Sequence, residues 1–321
     1  MEFKYKKLIS RELNELENNL SSSVSSEIEL ATEVSSYLVN SGGKRIRPAI
    51  CILVAKAFDY SGNDLIRLAS SIELLHTATL IHDDVVDESL MRRGKESIQN
   101  KWDNAHGVLV GDFVYSKAFQ LMASFDNPNI IRALANATNR ISEGEVLQLS
   151  LKDNDKLTEN QYFEIIDRKT AELFKVSSVT AGILALCSKD QLESLSQFST
   201  SLGIAFQIQD DILDYYGDEK LTGKKVGKDY QEGKFTLPVI TALKNADPKV
   251  QKKLLSLFEK KEKNNFEEVL NLLETANTYE KMQEVFIYYS KDCMNKLENV
   301  PQNSFREALE DIVSNLGLRL S

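Results

Sequence analysis

Residues 64–87 read D-L-I-R-L-A-S-S-I-E-L-L-H-T-A-T-L-I-H-D-D-V-V-D. Leu65, Leu68, Ile72, Leu75, Thr79 and His82 recur at the three-to-four spacing of one helix face. The stretch is therefore a mainly apolar helix that ends in a cluster of aspartates. The same periodicity extends outward in both directions. Helices are expected at 4–20, 27–40 and 47–58 before it. After it they are expected at 105–125, 129–151, 158–187 and 189–217, then 235–244, 248–260, 264–275, 279–297 and 302–317. Leu20–Ser26 (L-S-S-S-V-S-S) should break the first helix with competing hydroxyls, and Asn40-Ser41-Gly42-Gly43 should stop the second. Pro48 suits the first turn of the third. No strand alternation stands out, and 5 Pro and 14 Gly in 321 residues are too few for an all-β chain with its many turns. Lys252–Glu268 is rich in Lys, Glu and Asn, yet Leu254, Leu255, Leu257, Phe258 and Phe266 punctuate it, so a solvated helix pair is expected there rather than a linker. The expected architecture is all-α, a single domain over residues 1–321.

Composition narrows the function. Lys+Arg of 39 against Asp+Glu of 48 gives a net charge of -9, which argues against a general nucleic-acid binder. Cys51, Cys187 and Cys293 are far apart and odd in number, so neither a disulfide framework nor a zinc knuckle is indicated. The charged start has no apolar segment after it, no stretch is long enough to span a bilayer, and Leu-Arg-Leu-Ser at the end carries no prenylation box. A soluble, cytoplasmic protein is expected.

Asp83-Asp84-Val85-Val86-Asp87 places Asp83 and Asp87 on one helix face with Asp84 at its edge, where like charges repel unless a cation sits among them. A single such cluster reads as solvated surface. A second copy, Asp210-Asp211-Ile212-Leu213-Asp214, again ends an apolar helix. Two carboxylate triads of this kind suggest two cation sites facing one cavity, and Mg²⁺ is the hard ion that takes one or two carboxylates and completes its shell with water and phosphate oxygens. There is no D-x-D-x-D-G loop for calcium, and three histidines without a thiol pair do not suit zinc. Cationic groups accompany the aspartates: Lys44, Arg45 and Arg47 after Gly42-Gly43, Arg92-Arg93 after the first motif, Lys169 beside Thr170, and the Gly/Lys-rich segment 218–234 after the second, a candidate lid. Glu73-x-x-His76 fits a di-iron pattern, but that pattern is needed twice with two further glutamates, and Asp103-x-x-His106 is a poor second copy. His76 is either a donor into the same cavity or a satisfied core histidine.

Taken together these motifs resemble those of the trans-isoprenyl diphosphate synthases, in particular the bacterial long-chain, octaprenyl-type polyprenyl synthases. The resemblance covers nearly the whole chain. It rests on S-G-G-K-R-I-R-P (41–48), E-L-L-H-T-A-T-L-I-H-D-D-V-V-D (73–87), M-R-R-G (91–94), G-D-F-V-Y-S-K-A-F (111–119) and E-G-E-V-L-Q-L (143–149). K-T-A-E-L-F (169–174), F-Q-I-Q-D-D-I-L-D (206–214) and G-K-F-T-L-P (233–238) complete it. It implies a helical bundle with a deep central cavity, a homodimer, and 1′-4 condensation of isopentenyl diphosphate with an allylic diphosphate such as farnesyl or geranyl diphosphate. By matched position, Asp83, Asp84, Asp87, Asp210 and Asp214 should hold Mg²⁺ on the allylic diphosphate, with Asp211 less directly involved. Arg92, Lys169, Lys224 and Lys234 should contact that diphosphate, and Lys44, Arg47, His76 and Arg93 should hold isopentenyl diphosphate. Thr170 and Gln207 match groups beside the developing allylic cation. The released diphosphate is the expected proton acceptor.

Product length should depend on what lies beneath the first motif. Ala78 and Thr79 are small, so a growing chain is not stopped near the mouth; Phe119, Leu121 and Met122 are candidates for a deeper floor. The expected product is C40, for quinone side chains. A shorter C15 or C20 product is the alternative within the family; a terpene cyclase or a non-catalytic subunit of a heteromeric synthase fits the retained second triad less well.

Overall fold

The computed structural model describes residues 3–151, 157–218 and 226–317. The helices before the first aspartate motif are α1 (Tyr5–Leu8), α2 (Ser10–Ser23), α3 (Glu29–Val39), α4 (Ile46–Ala57) and α5 (Asp64–Val86), which carries it. Then come α6 (Ile98–Lys101), α7 (Asn104–Ala123), α8 (Pro128–Ser150), α9 (Glu159–Ile166), α10 (Glu172–Leu184) and α11 (Lys189–Tyr216). The remainder is α12 (Lys228–Glu232), α13 (Leu237–Asn245), α14 (Pro248–Lys260), α15 (Phe266–Thr275), α16 (Thr278–Lys296) and α17 (Ser304–Gly317). Among the described residues no helix is long and apolar enough to cross a membrane.

Four local features differ from the sequence expectation. The helix expected over 4–20 is split at Ile9 (φ -117°, ψ 33°) into α1 and α2. α2 continues to Ser23, because the hydroxyls of Ser22 and Ser23 donate to the carbonyl of Asn19 (3.0 and 2.7 Å) and ride on the helical ladder instead of competing with it. The helix expected over 158–187 is interrupted between α9 and α10 by a π-helical turn, Asp167–Ala171. A small hairpin, β1 (Met91–Arg92) and β2 (Lys95–Glu96), is too short to show alternation. Its turn residues Arg93 (φ 51°) and Gly94 (φ 76°) both have positive φ, the conformation that two-residue hairpins favour.

The chain divides into two compact units. The first comprises Met1–Thr138, Leu173–Ser196 and Leu297–Asp311; the second comprises Asn139–Glu172, Gln197–Lys296 and Ile312–Ser321. In the first, α5 is packed by α7, α4 and α2. Leu68 and Ile72 of α5, Ile50, Ile52 and Leu53 of α4, and Leu16 and Leu20 of α2 are wholly buried there. Each such side chain contributes about 1.5–3 kcal/mol by leaving water. α7 meets α5 through glycine: a Cβ on Gly107 would stand 2.5 Å from a Val85 methyl, so the two helices approach closely under the aspartate motif.

In the second unit α13 packs against α9, α14, α15 and α16. Its apolar cluster includes Tyr215, Tyr230, Leu254, Leu257, Phe258, Val269 and Leu273. The polar stretch 252–268 does form a helix pair, linked by Lys253–Glu268 at 2.9 Å over those buried leucines. Asp247 caps α14 through the Lys249 and Val250 N–H groups, with Pro248 in the first turn. α9 starts with a capping box between Thr158 and Gln161.

Candidate active site

In the first unit, the end of α5 leaves Asp83 and Asp87 half-buried, while Asp84 is only 2% exposed. Asp84 is turned into the protein, where Arg92 of β1 grips it: Nε lies 2.9 Å and Nη2 2.5 Å from Oδ1. Burial works against the Arg92 charge, but the hydrogen bonds and attraction of Asp84 outweigh it and raise the pKa above that of an ordinary arginine. Arg93, next in sequence, points elsewhere. Its Nη1 donates to the Gly42 carbonyl, and its guanidinium lies so close to Gly43 that a Cβ there would stand 3.2 Å from Cζ. The positive φ of Gly42 and Gly43 (77° and 144°) lets the chain make this seat.

Arg47 Nη1 lies 3.3 Å from His76 Nε2, and its guanidinium stacks on Phe174, 4.4 Å from the ring centroid. Burial, followed by the charges of Arg47, Arg93, Arg92 and Arg45, pushes the His76 pKa well below the usual histidine value, so the ring is neutral at physiological pH. The structure thus brings Arg47, His76 and Arg93 together. Lys44 is exposed on the preceding turn, its carbonyl accepting from the Tyr5 hydroxyl at 2.5 Å. Among the described residues the E-x-x-H pair joins no metal cluster: Glu73 pairs with Arg45, and His106 with Asp103, which caps α7.

In the second unit, Lys169 and Thr170 sit on the π-helical turn. Such turns leave part of the helical ladder unpaired and are found at functional sites. Glycines admit neighbouring helices on two sides: a Cβ on Gly144 would stand 2.9 Å from the Lys169 nitrogen, and one on Gly203 would stand 2.5 Å from the Ala171 Cα. Lys169 Nζ donates to Glu145 (2.7 Å) and Gln148 (2.9 Å). The Thr170 hydroxyl donates to Gln207 Oε1 at 3.0 Å, and Gln207 Nε2 donates to Asp211 Oδ1 at 2.9 Å. Tyr162 donates to the other Asp211 oxygen at 2.7 Å, and the Leu237 N–H approaches it at 3.4 Å. The carboxylate can only accept, so the chain fixes the Gln207 amide with its oxygen toward Thr170.

Asp210 and Asp214 are half-buried at the end of α11. Asp214 accepts from the Lys228 and Asp229 N–H groups (3.2 and 3.0 Å) and so receives the start of α12. Burial raises the pKa values of Asp211 and Asp214, against the pull of these donors. Lys234 pairs with Glu232 at 2.8 Å. Lys224 and the rest of 219–225 in the expected lid lie outside the described residues.

The carboxylates are hard oxygen donors in half-buried pairs. Among the described residues no three acidic, histidine or cysteine side chains form a metal cage. Such a donor set suits Mg²⁺, which is bound through one or two carboxylates while water and phosphate oxygens fill the rest of its shell.

Of the residues expected to govern product length, Ala78 is wholly buried, Thr79 and Leu121 are half-buried, and Met122 is 2% exposed. Phe119 is exposed and lines an open groove of about 520 Å³ with Asp112, Tyr115, Ser116, Gln120 and Ala123 on the outer face of α7. Sequence reasoning did not find Tyr162, Glu145 or Gln148 as site partners. Gln148 and Glu145 stand in the matched E-G-E-V-L-Q-L motif, whereas nothing local distinguishes Tyr162 from any core tyrosine.

The comparisons with known proteins place the chain in a family. The polyprenyl synthetase family model matches residues 28–275. The chain is similar to octaprenyl diphosphate synthase of Escherichia coli (strain K12), 39% identical over 89% of each chain. It is similar in structure to a decaprenyl diphosphate synthase from Rhodobacter capsulatus, with a TM-score of 0.93 and 35% identity over 99% of each chain. A polyprenyl synthase from Caulobacter crescentus, crystallised with calcium and isoprenyl diphosphate, gives a TM-score of 0.92 at 32% identity, over 97% of this chain and 96% of that one. With its all-α fold and both aspartate motifs, the chain belongs to the polyprenyl synthetase family and is a prenyltransferase.

Proposed function

We propose that the chain condenses isopentenyl diphosphate head-to-tail with an allylic diphosphate, in a Mg²⁺-dependent reaction, and repeats the step to a C40 product. The observation that carries this reading is the cluster of Arg47, Arg93 and neutral His76 behind Lys44: half-buried cations and donors matched to a diphosphate. Asp83, Asp87, Asp210 and Asp214 would hold the metal, which supplies Lewis-acid stabilisation of the departing diphosphate. Arg92, Lys169 and Lys234 add positive charge toward the same leaving group, and Lys224 is assigned with them by motif position alone. As the allylic C–O bond breaks, the Thr170 and Gln207 oxygens face the carbon that becomes positive, the Gln207 oxygen held in place by Asp211 and Tyr162. The isopentenyl double bond attacks that carbon, and the proton then lost passes to the released diphosphate, leaving a new allylic diphosphate five carbons longer.

Wholly buried Ala78, with Thr79 one turn before Asp83, supports a long product, because neither side chain is large enough to block an extending chain. Met122, buried on α7, fits the floor role better than exposed Phe119. We further propose a homodimer, checked by sedimentation equilibrium. The deciding experiment is product analysis with farnesyl diphosphate, excess isopentenyl diphosphate and Mg²⁺, with an EDTA control. A metal-dependent ladder ending mainly at C40 is expected. An end at C15 or C20 would keep the chemistry and overturn the length assignment. Ala78→Tyr should shorten the ladder; an unchanged ladder would remove Ala78 from the path of the growing chain.

A further inference from the structure

Glu73 is the part of the E-x-x-H pattern that the reaction leaves unused. Its carboxylate is 3% exposed, and among the described residues no cluster of metal-holding side chains is found. Its Oε1 accepts from Arg45 Nη1 at 2.7 Å and lies 3.7 Å from Arg93 Nη2. Arg45 is itself wrapped by acceptors: Nε and Nη2 donate to the two oxygens of Glu17 (2.7 and 2.9 Å), and Nη2 also donates to the Val39 carbonyl at 2.8 Å. Arg45 has left-handed backbone (φ 49°, ψ 35°), unusual for a non-glycine residue. That conformation sends its side chain back toward α2 and α5, between Lys44 and Arg47 in sequence.

We infer that Glu73 is a positioning residue for the isopentenyl diphosphate cradle: anchored by Arg45 and Glu17, it holds Arg93 against the Gly42-Gly43 turn and offsets the mutual repulsion of Arg45, Arg47 and Arg93. The inference rests on the reading of Arg93, Arg47 and His76 as the isopentenyl diphosphate site. Three arginines gathered around one buried carboxylate repel one another before a diphosphate arrives, and their charges are screened little away from water. The Arg47 pKa shows this balance: burial and then Arg93 hold it down to about 10, while Glu73 pulls it up. Without the Glu73 charge, Arg93 loses the anion that draws it to the turn, and its fork must be ordered during binding.

The readout is the split between the two substrates. Arg93→Ala tests the underlying reading and should raise the KM for isopentenyl diphosphate about a hundredfold, with the KM for farnesyl diphosphate unchanged. Glu73→Gln, which keeps the shape and removes the charge, should raise the same KM about tenfold and leave that for farnesyl diphosphate within about twofold. Glu73→Asp should recover part of the loss. Glu17→Gln, at a half-exposed position, should raise it about two- to threefold and keeps the test available if Glu73→Gln does not fold. An unchanged KM in Arg93→Ala overturns the cradle reading itself. A normal Arg93→Ala result combined with no selective change in folded Glu73→Gln, or with no change in Glu17→Gln where Glu73→Gln does not fold, overturns the role of Glu73. An equal rise for both substrates in Glu73→Gln also overturns it, by showing a general structural effect.

Discussion

Asp84 and Asp211 occupy the same place in the same five-letter motif, at the end of the same kind of apolar helix, and both are 2% exposed. Their surroundings differ in kind. Asp84 faces a full positive charge, the Arg92 guanidinium, which came with the hairpin that follows its helix. Asp211 receives a phenol and an amide, neutral donors that leave its charge uncompensated and its pKa raised by burial. One buried carboxylate aims a cation; the other orients an amide oxygen. A repeated motif therefore fixes where the outer aspartates stand and leaves the middle one to be used differently on each side.

The strongest test of this comparison leaves the middle aspartates alone. Asp83→Ala and Asp210→Ala should each lower kcat about 10²- to 10³-fold, because both outer carboxylates have the same expected task; a large loss in one and none in the other would break the equivalence of the outer positions. The middle positions should separate next. Arg92→Ala strips the guanidinium from a buried carboxylate and should cost about 3 kcal/mol in urea unfolding, toward the low end for breaking such a pair because Arg92 is partly exposed. Gly203→Ala forces a methyl against the turn that carries Thr170 and should cost about 1–3 kcal/mol and lower kcat as well. Tyr162→Phe removes one neutral hydrogen bond from Asp211 and should cost about 1 kcal/mol. If it costs as much as Arg92→Ala, the contrast between the two carboxylates is wrong.

The smallest effect is on pH. His76 has a folded pKa below its unfolded value, so the unfolded chain takes up the proton first. This contribution to stability is complete above about pH 6.5 and is lost as pH falls through that value toward the folded pKa. His76→Gln should flatten that part of the stability profile in substrate-free protein; a profile identical to the parent would place the acid sensitivity elsewhere.

Much of this was legible from the chain itself. Periodicity located the long helices to within a few residues, since each buries one continuous stripe such as Leu68, Ile72 and Leu75. The serine run misled because a hydroxyl that competes with a helix in isolation can also donate to the carbonyl four residues back, as Ser23 does. The π-helical turn has no local sequence signal, and the glycines that pack against it, Gly144 and Gly203, are distant from it in sequence. In the same way, Tyr162 is an ordinary letter until the fold supplies Asp211 as its partner, and Glu73, marked in the sequence only by its spacing to His76, has no visible partner until the fold supplies Arg45 and Arg93.

The hairpin at 91–96 has a consequence for how this site can change. Arg92 and Arg93 are consecutive, yet one reaches Asp84 and the other reaches Gly42, because a strand end and a tight turn throw adjacent side chains in different directions. Inserting or deleting a single residue between Glu88 and Met91 should shift both arginines by one position, so that at most one could fill the other's place and the pair of contacts would be lost, even with every charged residue retained. The spacer Glu88-Ser89-Leu90-Met91 thus acts as a ruler: a change in its length should cost more than a change in the identity of exposed Leu90 and Met91. Drift in this chain should therefore proceed there by replacement and not by insertion or deletion.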